Sequence, residues 1–214
     1  MNAEFVANME DVLDVYALPY DPEVPVVCVD ESCKQLLEEV RPPLPARPGE
    51  IARQDDEYIR KGVAEIFLAI EPHTGKISVT SGETRGAKDW AMFIQELLDV
   101  KYPTARKVIF VMDNLNTHSI ASLYKCFPPE VARNLAKRME IHYTPKHGSW
   151  LDVAEIGLSV LKSQCLNRRI PDLKTLAREI DSWVNDHNRK AKPVQWHFTT
   201  KDAREKLLSI YPKI

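Results

Sequence analysis

Three acidic residues occupy comparable positions in the chain. Asp30 closes the apolar run Val24-Pro-Val-Val-Cys-Val-Asp30, Asp113 closes Val108–Met112, and Glu155 lies one turn into the helical pattern that follows Pro145-Lys-His-Gly-Ser149. A carboxylate at the tip of a buried strand is costly unless something binds it. Hard divalent cations want oxygen ligands, and Mg²⁺ in particular binds through a few carboxylates while phosphate and water complete its shell. Two such ions can activate a nucleophile and stabilise the leaving oxygen in phosphodiester chemistry. Without a cation, clustered carboxylates repel one another and take up protons. A single acid at a strand tip is more simply read as a turn or cap residue; three together point to metal-dependent phosphoryl chemistry. Two other phosphate chemistries fit less well. Asp30-Glu-Ser is not a D-x-D nucleophile loop, and no G-x-x-x-x-G-K-[ST] is present.

The elements that must position these acids can be read from hydrophobic period. Val24 to Asp30 and Val108 to Met112 are short, continuous and β-branched, so they predict buried strands. Gly62 to Glu71 and Lys76 to Ser81 flank His73-Thr-Gly75 and predict a hairpin. Trp90, Phe93, Ile94, Leu97 and Leu98 recur at helical spacing and predict the core stripe of a helix packed on the sheet. A strand following that helix suggests a parallel crossover. Helices are predicted over His118 to Phe127 and Pro129 to Met139, and a strand over Glu140 to Tyr143. A helix then runs from Trp150 to about Cys165 with Ser149 as cap, followed by helices near Leu173 to Asn188 and Thr199 to Ile210. An acidic helical lead covers Glu4 to Tyr16, and the four prolines of RPPLPARPGE, residues 41–50, predict an extended surface connection.

Composition narrows the class. The length of 214 residues suits one domain with small additions, and no segment approaches a membrane span. The amino terminus is acidic where a signal peptide would be basic, which predicts a cytoplasmic protein. Cys28, Cys33, Cys126 and Cys165 form no C-x-x-C pair, so neither a zinc knuckle nor a disulfide framework is indicated. Charge is unevenly placed: residues 1–100 hold 9 Lys/Arg against 20 Asp/Glu, and residues 101–214 hold 20 against 11. Basic clusters fall at Arg133, Lys137 and Arg138, at Lys162, Arg168 and Arg169, and at Arg189, Lys190 and Lys192. They fit either solvated helix faces or a polyanion-binding surface.

VCVDES, VIFVMDNLNTHS and HYTPKHGSWLDVAEIGLSVLKSQCLNRRI together resemble the DDE catalytic domain of bacterial insertion-sequence transposases related to the mariner group. The resemblance covers nearly the whole chain. It implies an α/β, ribonuclease-H-like fold with a mixed central sheet flanked by helices, and metal-dependent DNA cleavage with strand transfer. It assigns Asp30, Asp113 and Glu155 as the catalytic and metal-binding triad for two Mg²⁺ or Mn²⁺ ions. Water, and later a 3′-hydroxyl, would attack a phosphodiester directly, with no covalent enzyme intermediate. Asn114 and His118 complete a D-N-x-x-x-H motif and could position a phosphate or the Asp113 carboxylate. Lys146, His147, Arg168 and Arg169 are candidate DNA contacts. Asp152 stands where related sequences commonly carry Asn and, three residues before Glu155, could compete as ligand or tune the charge. Trp150 could stack on a base, although the start of an amphipathic helix favours a core role, and Trp183 and Trp196 are expected to pack the closing helices.

The resulting organisation is an acidic lead over 1–20, a catalytic domain over 21–170 and a helical extension over 171–214 packed on the same domain. Family members carry helix-turn-helix segments before this domain. Here Met1 leads almost directly into the acidic helix, which fits the second reading frame of an element with a separate helix-turn-helix subunit, a fragment, or a degenerate copy. The implied partners are transposon-end and target DNA and a second copy of the chain, giving a homodimer on DNA with no membrane involvement, cytoplasmic and nucleoid-associated when bound. Two alternatives stay open: a catalytically silent DNA-binding or dimerising fragment that regulates an intact enzyme, and a host-adapted metal-dependent nuclease.

Overall fold

The computed structural model describes residues 3–212. Its centre is a five-stranded mixed sheet in the order β3-β2-β1-β4-β5. The strands are β1 Val26–Glu39, β2 Tyr58–Glu71, β3 Lys76–Gly82, β4 Val108–Met112 and β5 Met139–Tyr143. β1, β2 and β3 pair antiparallel, whereas β4 runs parallel to both β1 and β5. Val26–Val29 of β1 and all of β4 are apolar on both faces because helices cover both sides, whereas β5 at the edge alternates with Glu140 and His142. Val26 and Cys28 face one core layer, and Val27 and Val29 the other.

The first layer is packed by α1 (Ala3–Tyr16), α5 (Val153–Leu161), α6 (Leu173–Lys190) and α7 (Thr200–Lys206). The second is packed by α2 (Ala87–Glu96), α3 (Ile120–Cys126) and α4 (Pro129–Lys137). The stripe Trp90, Phe93, Ile94, Leu97 and Leu98 is buried as its spacing predicts, with Leu97–Lys101 continuing α2 as a π-helical turn. Arg138 is drawn into this layer, donating to the carbonyls of Leu98 and Tyr102 at 2.8 and 2.7 Å, so it is not part of a free basic face.

Two close approaches fix the first layer. A Cβ added at Gly157 would lie 2.9 Å from Leu68 Cδ2, so the missing side chain lets α5 sit directly on β2. At the hairpin turn, Gly75 has φ +70°, and a Cβ there would meet the Lys192 carbonyl oxygen at 1.9 Å. The segment after α6 is held on this turn by Val194 N–H donating to the Pro72 carbonyl at 2.8 Å. The edge strand β3 is covered as well. The Asn188 amide of α6 accepts from Ile77 N–H at 2.9 Å and donates to its carbonyl at 2.8 Å, occupying backbone groups that would otherwise offer a pairing edge.

Three expectations are corrected. β1 does not stop at Asp30 but continues to Glu39, because Glu31 to Glu39 pairs with β2 as a partly exposed ribbon whose polar alternation hid it. Ser149 does not cap the long helix: Ser149–Leu151 is a separate 3₁₀ turn, and Asp152 caps α5 by accepting from Ala154 N–H at 2.8 Å. Trp150 is not core; it is 45% exposed and meets Phe198 edge-on. Trp183 and Trp196 pack partly buried against the first layer as expected. The proline-containing segment is an irregular connection with isolated bridges at Leu44–Arg53 and Arg47–Glu50.

Candidate active site

The ladder geometry brings two of the three acids together. The last parallel rung between β1 and β4 is Val29–Met112, so Asp30 and Asp113 are the next residue on each strand. The last rung between β4 and β5 is Met112–Tyr143, after which Thr144 N–H donates to the Met112 carbonyl at 2.9 Å and β5 opens into the Pro145–Ser149 loop. That loop is tight. Gly148 N–H donates to the Pro145 carbonyl at 2.8 Å, a Cβ on Gly148 would lie 2.6 Å from Pro145 Cγ, and His147 takes a left-handed φ of 65°. A non-glycine residue held there is typical of a position fixed by its surroundings. The loop delivers the chain to α5, whose first turn carries Glu155.

Asp30, Asp113, Asn114, Lys146, His147, Asp152 and Glu155 all line one open cleft of about 810 Å³. Seven of the ten candidate residues are therefore brought to one place. Glu4, Phe5 and Asn8 of α1 form a further wall that the sequence reading missed. The signal was faint, since α1 reads only as an amphipathic acidic helix. A second cavity of about 530 Å³, between β3 and α2, contains none of the candidate residues.

Electrostatics mark the cleft as cation-seeking. Burial pushes the Asp30 carboxyl up to about 6, its bond from Glu31 N–H opposes the rise, and the charges of Glu31, Asp113 and Glu155 add to it. Asp152 is likewise held well above the ordinary carboxylate range by burial and then by the Asp30 charge. Asp30, Asp113, Asp152 and Glu155, with Glu4 on the α1 wall, supply hard oxygen donors suited to Mg²⁺ or Mn²⁺, and a divalent ion would relieve their repulsion. Asp152 already serves as the cap of α5, which leaves Asp30, Asp113 and Glu155 as the better ligand set.

His118 is absent from the cleft lining and lies behind Asp113. Its ring is buried, with Nδ1 2.5 Å from Asp113 Oδ1 and Nε2 3.1 Å from Glu31 Oε2. The second contact is short but poorly aligned, since neither atom makes a hydrogen bond of good geometry. Burial works against charge on the ring, but the carboxylates of Asp113 and Glu31 outweigh it and raise its pKa to about 9. Burial would lift Asp113, yet its bond and attraction to His118 hold it below the usual range. Glu31, Asp113 and His118 bring one ligand atom each within 4.8 Å of one another. Glu31 was not singled out from sequence because a charge beside Asp30 on a strand points to the opposite face of the sheet.

Arg168 and Arg169 are not in the cleft. Arg168 pairs with Glu179, and Arg169 is held by Glu39 at 2.7 Å, by the Glu57 carbonyl at 3.0 Å and over the Tyr58 ring. Arg169 thus braces the β1–β2 ribbon, whereas Arg168 is tied to α6, and neither is brought to the cleft with the acids.

The family model described as DDE superfamily endonuclease matches residues 25–177, well over half of the chain. The chain belongs to the DDE superfamily endonucleases. No curated protein matches it by sequence. Among solved structures, this DDE endonuclease is similar to the Mos1 mariner paired-end complex with Mn, at 17% identity and a TM-score of 0.56 over 87% of this chain and 56% of that one. The Mos1 strand transfer complex gives 17% and 0.56 over 85% and 53%, and the paired-end complex with Mg gives 17% and 0.54 over 98% and 63%. The DDE endonuclease chain thus spans little more than half the length of the Mos1 chains it matches. Those likenesses bear out the expected α/β, ribonuclease-H-like fold, a mixed five-stranded sheet flanked by helices.

Proposed function

We propose that this chain is the catalytic domain of a DDE transposase of an insertion sequence, cutting DNA strands and joining the freed ends to target DNA. The observation that carries the reading is the convergence of Asp30, Asp113 and Glu155 on one open cleft, with Asp30 pushed up to about 6 by burial and by its acidic neighbours. Asp30, Asp113 and Glu155 would hold the metal. When bound, one or two divalent ions supply a Lewis acid for the scissile phosphate and lower the cost of its developing charge. Asp113 is oriented by His118, and Glu155 is fixed by the Asp152 cap and by the close seat of α5 on β2. Lys146 and His147, on the rim of the cleft, meet the phosphate backbone of the DNA. Asn114, beside Asp113 in the same cleft, is a further phosphate contact.

The Mos1 paired-end complexes with Mn and with Mg, and its strand transfer complex, support the choice of metal and of reaction. The family resemblance of the sequence implies further that the protein works as a dimer on DNA, with helix-turn-helix recognition of the ends supplied by a further segment or subunit. Residues 21–170 form the catalytic unit and 171–214 a helical extension that shares its core, and α1 belongs to that core because Met9, Val12 and Leu13 are buried in it. No helix among the described residues is long and apolar enough to cross a membrane, and DNA as substrate puts the protein in the cytoplasm at the nucleoid.

The test is incubation of the purified protein with supercoiled plasmid and Mn²⁺, beside Asp113→Asn and a chelator control. Metal-dependent nicking lost in the variant supports the reading, and transfer of a pre-cut end into plasmid separates a transposase from a simple nuclease. Equal inertness of wild type and variant, both folded, would favour the regulatory DNA-binding fragment.

A further inference from the structure

We propose that Glu31, acting through His118, is a positioning residue that fixes the carboxylate of Asp113 in the cleft. The inference rests on the reading of Asp113 as a metal ligand. Glu31 and Asp113 approach different nitrogens of the His118 ring, Nε2 at 3.1 Å and Nδ1 at 2.5 Å. Both the ring and the Glu31 side chain are shielded from water, at 1% and 7% exposure, whereas Asp113 is 48% exposed and can turn toward solvent. Without a rigid neighbour, an exposed aspartate at the end of a strand samples several rotamers, and a ligand set is then formed only part of the time.

Besides these contacts the ring is packed on one face, and the His118 backbone is held at its carbonyl and its N–H. The ring stacks on Trp90 with centroids 5.8 Å apart and planes 23° from parallel. Its own carbonyl accepts from Tyr143 Oη at 2.7 Å, and its N–H donates to the Leu115 carbonyl at 2.8 Å. These contacts settle where the imidazole sits, but they touch neither ring nitrogen. The nitrogens are answered only by the two carboxylates and, at 3.3 Å, by the Asp113 carbonyl oxygen. The Glu31 carboxylate, 3.1 Å from Nε2, thus limits the in-plane rotation of the ring, and the ring passes that orientation to Asp113. Outer partners of a ligand's neighbour affect metal affinity in this way, typically by ten- to a hundredfold. The route also explains why an acid is kept at Glu31, in a layer otherwise built from Val27, Val29, Phe67 and Trp90.

The test is Mn²⁺ binding to the metal-free protein, read by the loss of the free-ion electron paramagnetic resonance signal, with no DNA present. Wild type, Glu31→Gln, Asp113→Asn and Ser122→Ala are compared. Ser122→Ala removes the 2.7 Å bond from Ser122 Oγ to the Thr117 carbonyl and loosens the same segment without touching the ring nitrogens. Glu31→Gln is expected to weaken Mn²⁺ binding about tenfold and to broaden the bound-ion signal, while Ser122→Ala lowers Tm and leaves affinity within about twofold of wild type. Wild-type affinity in Glu31→Gln together with a loss in Asp113→Asn overturns the positioning role alone. Wild-type affinity in Asp113→Asn overturns the ligand assignment beneath it. An equal loss in Ser122→Ala assigns the effect to loop stability and also overturns the proposal. If Glu31→Gln does not fold, Glu31→Asp, whose shorter side chain retracts from the ring, takes its place in the same comparison.

Discussion

Among single side chains, Asp30 and His118 both have raised proton affinities, with consequences for stability in different pH windows. Asp30 binds its proton more tightly in the folded state, about 6 against an ordinary 3.8, so metal-free stability falls as pH rises from about 4 to 6. Asp30→Asn is therefore expected to make the metal-free protein more stable at pH 7, on the order of 2 kcal/mol, with the difference vanishing at pH 4. Urea unfolding at the two pH values checks this, and a destabilised variant at pH 7 would mean the carboxylate is already compensated. His118, raised to about 9, contributes stability that is complete below about 6.5 and is lost as pH climbs through 9. Asp113 was legible in sequence because a five-residue apolar strand ends directly before it. Glu31 was not, because nothing in one dimension says that the neighbour of a cleft residue reaches the same carboxylate from the other face of the sheet.

At the scale of elements, the seat of α5 on β2 decides where Glu155 stands. The Cβ of Gly157→Ala would meet Leu68, which is fully buried and has little room to retreat. The substitution should cost about 1–3 kcal/mol and reduce DNA nicking more than ten-fold, because α5 must lift or slide and Glu155 moves with it. Leu68→Val in the same chain should return part of both losses, a coupling read by a double-mutant cycle in unfolding free energy and nicking rate. Additive effects would show that the helix does not bear on Leu68. Strand β4 was readable because burial on both faces leaves an unbroken apolar run, and β5 and α2 because burial on one face leaves a regular apolar period. The outer half of β1 and the cap of α5 were not, because a solvated ribbon and a buried aspartate cap carry polar residues that sequence reads as loop and ligand.

On the scale of the whole molecule, both ends of the chain belong to one core layer. The family match stops at residue 177, yet α6 continues to Lys190 and buries Ile180, and α7 buries Ala203. A chain cut after residue 177 would expose the first layer and strip α1 of Arg204, which grips Glu10 through two bonds of 2.8 and 2.7 Å. It is expected to lose cooperative thermal unfolding, read by circular dichroism, where the full chain melts in a single transition. A sharp melt in the shortened chain would show that the closing helices are dispensable to the core.

The clasp between Glu10 and Arg204 joins residues 194 positions apart, and Tyr211 reaches the same carboxylate from 201 positions away. At translation rates of 5–20 residues per second, α1 leaves the ribosome roughly 10–40 s before its partners exist. Throughout that interval the face bearing Met9, Val12 and Leu13 lacks the carboxyl-terminal half of its packing. The α1 face is closed only when the segment from α7 onward has been made, so chains still in synthesis carry an adhesive helix whose handling sets how much native protein is obtained.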